Sequence, residues 1–582
     1  MKRREFLAAA APLLAAQTNR PRPNILFLSF EDSSPMLGCY GDPHAITPNC
    51  DKLAGEGVRY AQAHTVAGVC APSRSGMITG MYPTTLGSSH MRSSVKLPPG
   101  VRCYPAYLRD AGYYCTNNAK TDYNFPVPKD AWDEVSNKAH WKNRKPGQPF
   151  FAVFNQEVTH ESRYPRRGAE HEADVQRLTP AQRLDPAKLT TLPPYYPDTP
   201  EARRDWANVY ECLTAMDYWL AGHLQAIDDA GLAEDTIVFA WGDHGVGLPR
   251  AKRWLYESST HVPLIIRIPG KFRTAGQGQP GTVDAQLVSM IDLAPTVLNL
   301  AGVALPEQFQ GRAFLGSALT PARRYIHGAR DRMDERYDMV RMVRDGRYRY
   351  IRNYEPEKPY AQYMNTAEQG ITMRELRKGY PAAAKQFMAA AKPAEELYDV
   401  AADPHELRNL AKDPKHRAAL GRLRQEHERW ALETRDLGLI PEPELVAREK
   451  KLGSRYAILR QPGAADLMKR LRNPQAADPD PAVRYWAARR GATQLVNDPV
   501  PIVRIAAAQR AKAIAVLVPF LEDPEEWTSL AAAQALDELG EAARPALPAL
   551  QKALAKEDQN RYVSRVVNHA VNRLTGASNE VP

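Results

Sequence analysis

Short runs of apolar residues alternate with longer helical patterns through the first half of the chain. The runs cover Asn24–Phe30, Pro149–Asn155, Thr236–Trp241 and Val262–Ile268, and a helical spacing of apolar residues extends from Trp206 to Ala230. Continuous apolar runs of this length are typical of strands that are buried on both faces. Strands that alternate with helices predict an α/β fold, with helices on both faces of one sheet, over residues 22–325.

Residues 326–436 follow a different pattern. Apolar and polar side chains alternate from Tyr337 to Arg352, another short strand begins at Glu396, and helical spacing returns from Lys415 to Glu433. A period of two residues is typical of strands, and a period near 3.6 is typical of helices. We therefore predict a small α+β subdomain that packs against the first domain.

The last 120 residues are rich in alanine and carry a repeated motif. Asp478-Pro479, Asp498-Pro499 and Asp523-Pro524 each precede a helical segment, and the first two of these segments are similar to each other. Repeated helix pairs with small residues at their contacts resemble HEAT-type repeats. We predict a linker over residues 437–462 and an all-helical, HEAT-like repeat tail over residues 463–576.

Acidic or polar side chains follow several of the predicted strands directly. Glu31 and Asp32 come after the first strand, His160 follows the second, and Asp243 follows the third. In open α/β sheets, ligands collect at the carboxyl ends of the strands. We therefore expect these four side chains to share one site.

The charge balance is basic, and the cysteines are few. The net charge is +10 over 582 residues, which favours anionic partners, although the same excess charge can serve solubility alone. We find no nucleic-acid recognition motif and no dense run of Lys and Arg, so nucleic acid is not an expected partner. Six cysteines without paired spacing argue against a disulfide scaffold and a zinc ribbon.

The N-terminus has the features of a targeting segment. Arg3 and Arg4 precede Phe6-Leu7 and an Ala-rich apolar stretch that ends near Ala16. This arrangement resembles a twin-arginine export signal, so we predict a signal peptide at residues 1–16 and a periplasmic or extracellular location. An ordinary basic N-terminus is the alternative. No stretch of the sequence is long and apolar enough to predict an integral membrane segment.

The most specific motif is Cys70-Ala71-Pro72-Ser73-Arg74, followed by Thr79-Gly80. With this motif the chain resembles the sulfatase family. The resemblance implies an alkaline-phosphatase-like sandwich with a central mixed sheet. It also implies that a formylglycine-generating enzyme oxidises Cys70 to formylglycine, whose hydrated aldehyde attacks sulfur. The second hydroxyl of the hydrate permits release of sulfate, whereas a serine would remain as a stable sulfate ester.

The same resemblance implies one divalent cation, Ca²⁺, bound by oxygen-rich ligands. The matching positions are Glu31, Asp32, Asp243 and His244, together with residue 70. Glu31 departs from the usual Asp-Asp pair of the family, and His244 could bind either the cation or the sulfate. The alternative for Asp32 is a helix N-cap.

Four further residues match catalytic positions of the family. Arg74 and Lys120 are expected to hold the sulfate, and Lys252 is expected to contact the leaving-group oxygen or a sulfate oxygen. His160 is the candidate general acid. The motif around Lys120 is imperfect, since Asp122 lies where the family often has the histidine that assists elimination of sulfate. Asp122 could replace that histidine, or another histidine could fold into the site. The alternatives for Lys252 and His160 are a solvated lysine and a structural histidine.

The resemblance to sulfatases covers residues 22–436. Within the family, the stretches Ser29–Pro35, Asn117–Tyr123 and Gly328–Arg332 resemble bacterial heparan N-sulfatase-like enzymes. The likeness suggests a sulfated glycan as substrate and makes His90, Asp122, Arg330 and Arg332 candidate substrate contacts. We therefore expect a sulfuric ester hydrolase that cuts an O- or N-sulfate. The alternatives are a phosphate or phosphonate monoester hydrolase on the same scaffold, and an inactive binding protein whose tail recruits a partner. The sequence leaves open the sugar, the sulfate position, the tail's partner and the oligomeric state.

Overall fold

A computed structural model of the chain describes residues 22–190, 192–556 and 559–581. Its larger sheet contains eight strands. These are β1 (Asn24–Phe30), β2 (Val58–His64), β3 (Tyr114–Asn118), β4 (Glu134–Val135), β5 (Phe150–Gln156), β6 (Thr236–Gly242), β7 (Leu264–Arg267) and β8 (Thr282–Ser289). Their order is β4-β3-β5-β1-β6-β7-β2-β8, and only β7 runs antiparallel to its neighbours. The predicted mixed α/β sheet is therefore confirmed.

Helices cover both faces of this sheet. They are α1 (Pro48–Glu56), α2 (Cys70–Thr79), α3 (Pro83–Leu86), α4 (Tyr104–Asp110), α5 (Ala169–Val175), α6 (Pro200–Asp229), α7 (Glu257–Thr260) and α8 (Leu293–Leu300). Successive side chains of a strand point to opposite faces. Leu26 of β1 accordingly packs in the cluster with Leu213 of α6, whereas Phe27 packs in the cluster with Leu298 of α8. Two apolar cores thus hold β1 at the centre of the domain.

A smaller antiparallel sheet follows, in the order β12-β11-β10-β9. Its strands are β9 (Ile326–Met333), β10 (Arg336–Arg344), β11 (Tyr348–Asn353) and β12 (Glu395–Asp399), and its helices are α9 (Asn365–Glu368), α10 (Ile371–Lys378), α11 (Lys385–Met388) and α12 (Arg417–Glu433). The small α+β subdomain is confirmed.

The remainder of the described chain is helical. Its helices are α13 (Glu442–Leu452), α14 (Ala464–Arg472), α15 (Pro481–Arg489), α16 (Pro501–Ala511), α17 (Ile514–Leu517), α18 (Glu526–Leu539), α19 (Leu547–Leu554) and α20 (Arg561–Thr575). The all-helical tail is confirmed, and its assignment to HEAT-type repeats stays a prediction. Residues 437–462 contain α13 and bury Leu439 and Leu445 in one cluster with Trp486 of the tail. Their assignment as a linker stays a prediction.

Ion pairs and ring stacking join the tail to the smaller sheet. Arg336 Nη2 at the start of β10 lies 2.7 Å from Asp537 Oδ2 of α18. The His569 ring of α20 stacks on Tyr363 with the ring centres 4.0 Å apart. The Gln534 amide nitrogen donates to the backbone carbonyl of Glu335 at 2.7 Å. The tail is therefore packed against the hairpin that joins β9 to β10.

Two of the predictions concern targeting and membranes. The predicted signal peptide, residues 1–16, lies outside the described residues. Within the described ranges, no helix has both the length and the apolar character that crossing a bilayer requires.

Candidate active site

The carboxyl ends of two neighbouring strands bring the predicted acidic residues together. Glu31 and Asp32 follow β1 directly, and Asp243 follows β6, which pairs with β1 in register. The Asp243 backbone nitrogen donates to the Phe30 carbonyl at 3.2 Å, and the Asp32 backbone nitrogen donates to Asp243 Oδ1 at 3.1 Å. The shared edge that the sequence predicted is therefore present, and these three carboxyl groups are buried in it.

Helix α2 begins at Cys70 and directs it toward this edge. The Ser73 hydroxyl donates to the backbone carbonyl of Asp243 at 2.7 Å, which fixes the first turn of the helix. Cys70 is only 1% exposed. Burial raises the pKa of its thiol, while the charges of Lys120 and Lys252 act in the opposite direction.

Arg74 lies one turn further along α2 and ties it to three strands. Its guanidinium donates from Nε to Asp243 Oδ2 at 3.2 Å and from Nη1 to Asn155 Oδ1 at 2.8 Å. It also contacts the Glu31 carboxylate. Burial alone would raise the pKa of Glu31, but the charges of Arg74 and Lys120 outweigh it, so that pKa lies below its ordinary range.

Carboxylate and imidazole atoms form a compact cluster at the strand ends. One ligand atom from each of Asp32, Asp243 and His244 lies within 4.8 Å of the others, and the same holds for Glu31, Asp32 and His160. His244 Nε2 is buried, lies 3.2 Å from Asp32 Oδ1, and has no hydrogen-bond partner. Burial and then the neighbouring Glu31 raise the pKa of Asp243. Crowded buried oxygen donors of this kind fit a hard divalent cation.

Two lysines approach the carboxylates from opposite sides. Lys120 Nζ lies 2.7 Å from Glu31 Oε2. Lys252 Nζ donates to both carboxylate oxygens of Asp32, at 3.0 and 2.8 Å, and lies 3.4 Å from His160 Nε2. Burial and the charge of Lys252 hold the pKa of His160 below its ordinary value. Both lysines and His160 are thus brought to the site.

A chain of buried charges continues outward from Lys252, and sequence reasoning missed it. Glu161 Oε1 lies 3.1 Å from Lys252 Nζ, and the Arg253 guanidinium pairs with both Glu161 oxygens at 2.8 Å. Arg253 Nε also donates to Asp334 Oδ2 at 2.8 Å. Arg253 and Asp334 adopt positive φ angles of 79° and 47°, a conformation that concentrates at functional sites in residues other than glycine. The sequence could have indicated these residues, because Glu161 directly follows His160 and Arg253 directly follows Lys252.

Asp122 lies beside Lys120, where the family often has a histidine. Its Oδ2 is 3.9 Å from Lys120 Nζ, and its carboxylate also pairs with Arg92. The side chain is 8% exposed. Asp122 therefore borders the site on the Lys120 side.

The other three predicted substrate contacts are buried and lie beside protein groups, although Arg330 Nη2 and both ring nitrogens of His90 have no hydrogen-bond partner. Arg330 donates to the carbonyl of Asp338 at 2.8 Å and lies over the Trp254 ring. Arg332 forms two hydrogen bonds with the Glu442 carboxylate, at 2.6 and 3.0 Å. His90 is 1% exposed and its Nε2 lies 3.9 Å from Glu442. These side chains are buried in the protein interior, and their role as substrate contacts stays a prediction.

A cavity of about 360 Å³ opens beside Lys252. Arg166, Trp254, Gln362 and Thr366 contribute to its wall. Pockets that hold small ligands combine apolar walls with a few polar groups and have volumes of about 300–1,000 Å³. The cavity is therefore large enough for a sugar ring next to the charged cluster.

Comparison with known proteins agrees with this geometry. The sulfatase family pattern matches residues 23–303, and the pattern of the N-sulphoglucosamine sulphohydrolase C-terminal region matches residues 242–369. An ulvan-active sulfatase from Formosa agariphila is 41% identical over 467 residues, which cover 73% of this chain and 77% of that protein. The human N-sulphoglucosamine sulphohydrolase is 28% identical, with 74% of this chain and 94% of that protein covered.

A solved structure of a protein in complex with its substrate D-glucosamine-2-N,6-O-disulfate has the same fold. Its TM-score is 0.53 at 18% identity, and the match covers 71% of this chain and 98% of that one. The shared fold, the matched family pattern and the 41% identity to a known sulfatase agree with one another. The chain therefore belongs to the sulfatase family and is a sulfatase.

Proposed function

We propose that this sulfatase removes an O- or N-sulfate group from a sulfated glycan, with residue 70 as formylglycine and one divalent cation, preferably Ca²⁺. The observation that carries the proposal is the position of Cys70 at the start of α2, beside the carboxylate cluster and within the field of two lysines. The relatives support the substrate class. Their names refer to ulvan and to N-sulphoglucosamine, and the solved complex holds a disulfated glucosamine.

Glu31, Asp32, Asp243 and His244 would hold the cation. Three buried carboxylates repel one another, and a cation among them would relieve that repulsion, as the raised pKa of Asp243 indicates. A bound divalent cation would supply Lewis-acid stabilisation of negative oxygens. The hydrated form of formylglycine would supply a nucleophilic hydroxyl at residue 70 and a second one for release of sulfate.

The cationic side chains bind and orient the sulfate. Arg74 and Lys120 lie on the Glu31 side, and Lys252 lies on the Asp32 side, so a sulfate between them is in contact with positive charge from both directions. Without that charge, the approach of an anionic ester to three carboxylates would be unfavourable. Burial keeps bulk water from weakening these contacts.

In this proposal, His160 moves the proton of the leaving group. Its Nδ1 is 3.0 Å from the Ser162 hydroxyl, which orients the ring, and its Nε2 faces Lys252. We assign Nε2 as the atom that protonates the departing oxygen or nitrogen of the sugar. The leaving sugar would occupy the cavity beside Lys252, and Asp122 stays the candidate base for the elimination step.

Maturation and location complete the proposal. A formylglycine-generating enzyme would modify Cys70, and a twin-arginine signal in residues 1–16 would export the folded protein to the periplasm or beyond. The helical tail, which we predict to be HEAT-like, remains available to a protein partner.

Desulfation of a glycan panel tests this function. Wild-type protein should release sulfate from fragments of ulvan or of N-sulfated heparan, and Cys70→Ala should not. A peptide that spans residue 70 should show the mass of an aldehyde in place of the thiol-bearing methylene. Full activity of Cys70→Ala, or a preference for an aryl phosphate over the matching aryl sulfate, would contradict the proposal.

A further inference from the structure

A second pocket lies where the smaller sheet meets the helical tail. It has a volume of about 250 Å³ and none of its lining residues belongs to the active site. We call it the junction pocket and define it by Arg352, Tyr354, Arg424, Arg472, Trp486 and Arg490. Arg352 and Tyr354 belong to the region of β11, and Arg424 lies on α12. Arg472 ends α14, and Trp486 and Arg490 lie on and just after α15.

The arginines of the junction pocket outnumber its carboxylates. Four guanidinium groups line it against Glu395 and Glu428. Glu395 pairs with Arg424 through both carboxylate oxygens at 2.8 Å, which leaves it 3.9 Å from Arg352. The pocket therefore keeps an excess of positive charge.

Two of the arginines are held by backbone groups alone. Arg472 Nη2 donates to the carbonyl of Glu428 at 2.8 Å, and Arg490 donates to the carbonyl of Arg472 at 3.3 Å. Within the described part of the chain, neither has a carboxylate within the 4.0 Å of an ion pair. Burial lowers the pKa of Arg490, and the like charge of Arg352 acts in the same direction. An anion between them would relieve the repulsion between these like charges.

A buried histidine that lines the pocket has one ring nitrogen without a hydrogen-bond partner. His427 is 4% exposed, and its Nδ1 has no hydrogen-bond partner. Its Nε2 lies 2.9 Å from the Tyr354 hydroxyl. Burial lowers the pKa of His427 to about 3, so the ring is neutral at physiological pH. When Tyr354 donates to Nε2, Nδ1 carries the proton and can donate to a ligand.

Together these groups match the chemistry of an acidic sugar. Guanidinium groups bind sulfate and carboxylate oxygens in a bidentate manner. The partly exposed ring of Tyr354 offers apolar surface to the face of a sugar that carries its C–H bonds. The cavity is larger than one inorganic anion requires and approaches the size of small-ligand pockets.

We propose that the junction pocket binds one sulfated or uronic acid unit of a polymeric glycan while another unit of the same chain lies in the active site. This rests on the proposed function for its substrate class. When one glycan unit is bound in the junction pocket, the other units of that glycan have a higher effective concentration at the active site. The pocket would therefore favour long glycans over short fragments without a change in the chemical step.

The test compares polymer with fragment in a double variant, Arg472→Gln with Arg490→Gln. The matched control is Lys412→Gln with Arg417→Gln, which removes the same charge from exposed positions outside the pocket. For ulvan or heparan sulfate, the ratio of kcat/KM on the polymer to kcat/KM on its disaccharide should fall about tenfold in the pocket variant and stay unchanged in the control. An unchanged ratio in the pocket variant would overturn the proposal.

Binding without turnover separates this inference from the proposed function. In the Cys70→Ala background, isothermal titration with the same polymer should show weaker binding for the pocket variant only. If sodium sulfate alone binds in a pocket-dependent way and the polymer does not, the glycan proposal is wrong. Pocket-dependent polymer binding in a wild-type protein that releases no sulfate would instead contradict the proposed function and support the pocket.

Discussion

The contact between the tail and the smaller sheet depends on Asp537, and Asp537→Asn should weaken it. The carboxylate pairs with Arg336 of β10 and with His569 Nδ1 at 2.7 Å, and it is 3% exposed. Burial alone would raise the pKa of Asp537, but Arg336 and His569 outweigh it and lower the pKa from 3.8 to about 2.

The shift in the pKa of Asp537 sets the magnitude of the destabilisation that Asp537→Asn should cause. A pKa change of one corresponds to about 1.4 kcal/mol, so the lowered pKa of Asp537 corresponds to about 2.4 kcal/mol of stability. Because the pKa is lower in the folded protein, this contribution is fully present above the ordinary pKa of 3.8. It is lost as the pH falls through about 2. Asp537→Asn should therefore lower the free energy of unfolding by about 2–3 kcal/mol at pH 7.

Urea unfolding between pH 7 and pH 2.5, followed by the fluorescence of tail tryptophans, measures the effect. The difference between wild type and Asp537→Asn should be constant down to about pH 4 and then shrink. Glu541→Gln is the control, since that side chain is 71% exposed and should change stability by no more than about 0.5 kcal/mol. A difference that is zero at pH 7, or equally large at pH 2.5, would refute the reasoning.

Three further outcomes are expected. Ca²⁺ at about one hundred times its dissociation constant should stabilise the fold by about 2.7 kcal/mol. EDTA should therefore lower the melting temperature in scanning fluorimetry. An unchanged melting temperature would argue against the cation site. Lys252→Met leaves Asp32 and Glu161 buried without their shared cation; kcat/KM on an aryl sulfate should fall about 100-fold, with partial recovery in Lys252→Arg. Arg330→Met removes the cation over the Trp254 ring and should lower the melting temperature without a change in KM. A raised KM would instead support a contact between Arg330 and the substrate.

The parts of the site that lie at strand ends could be predicted from the sequence. Asn24–Phe30 is an apolar run that is followed by two acidic residues. Parallel strands place their carboxyl ends on one edge of the sheet, and this rule brings Asp32 and Asp243 together. These predictions needed only local pattern and one topological rule.

The contacts that depend on distant packing could not be predicted. Arg330 and Arg332 are as polar in sequence as any substrate-binding arginine, and only the packing of Trp254 and Glu442 against them shows that they are buried. The contacts of residues 437–462, the expected linker, could not be predicted for a similar reason. Its apolar residues find partners in tail helices, and no periodicity within residues 437–462 identifies those partners.

The central place of β1 has a consequence for the timing of synthesis. β1 is the first strand to leave the ribosome, yet its neighbour β6 ends at Gly242, about 170 residues after Cys70. At about 5–20 residues per second, the ribosome needs roughly 8–34 s to make that stretch. Until then the edge that buries Cys70 is incomplete. Any enzyme that modifies residue 70 therefore has an interval of that length in which to act on an open chain, and slower translation of residues 71–242 should increase the modified fraction.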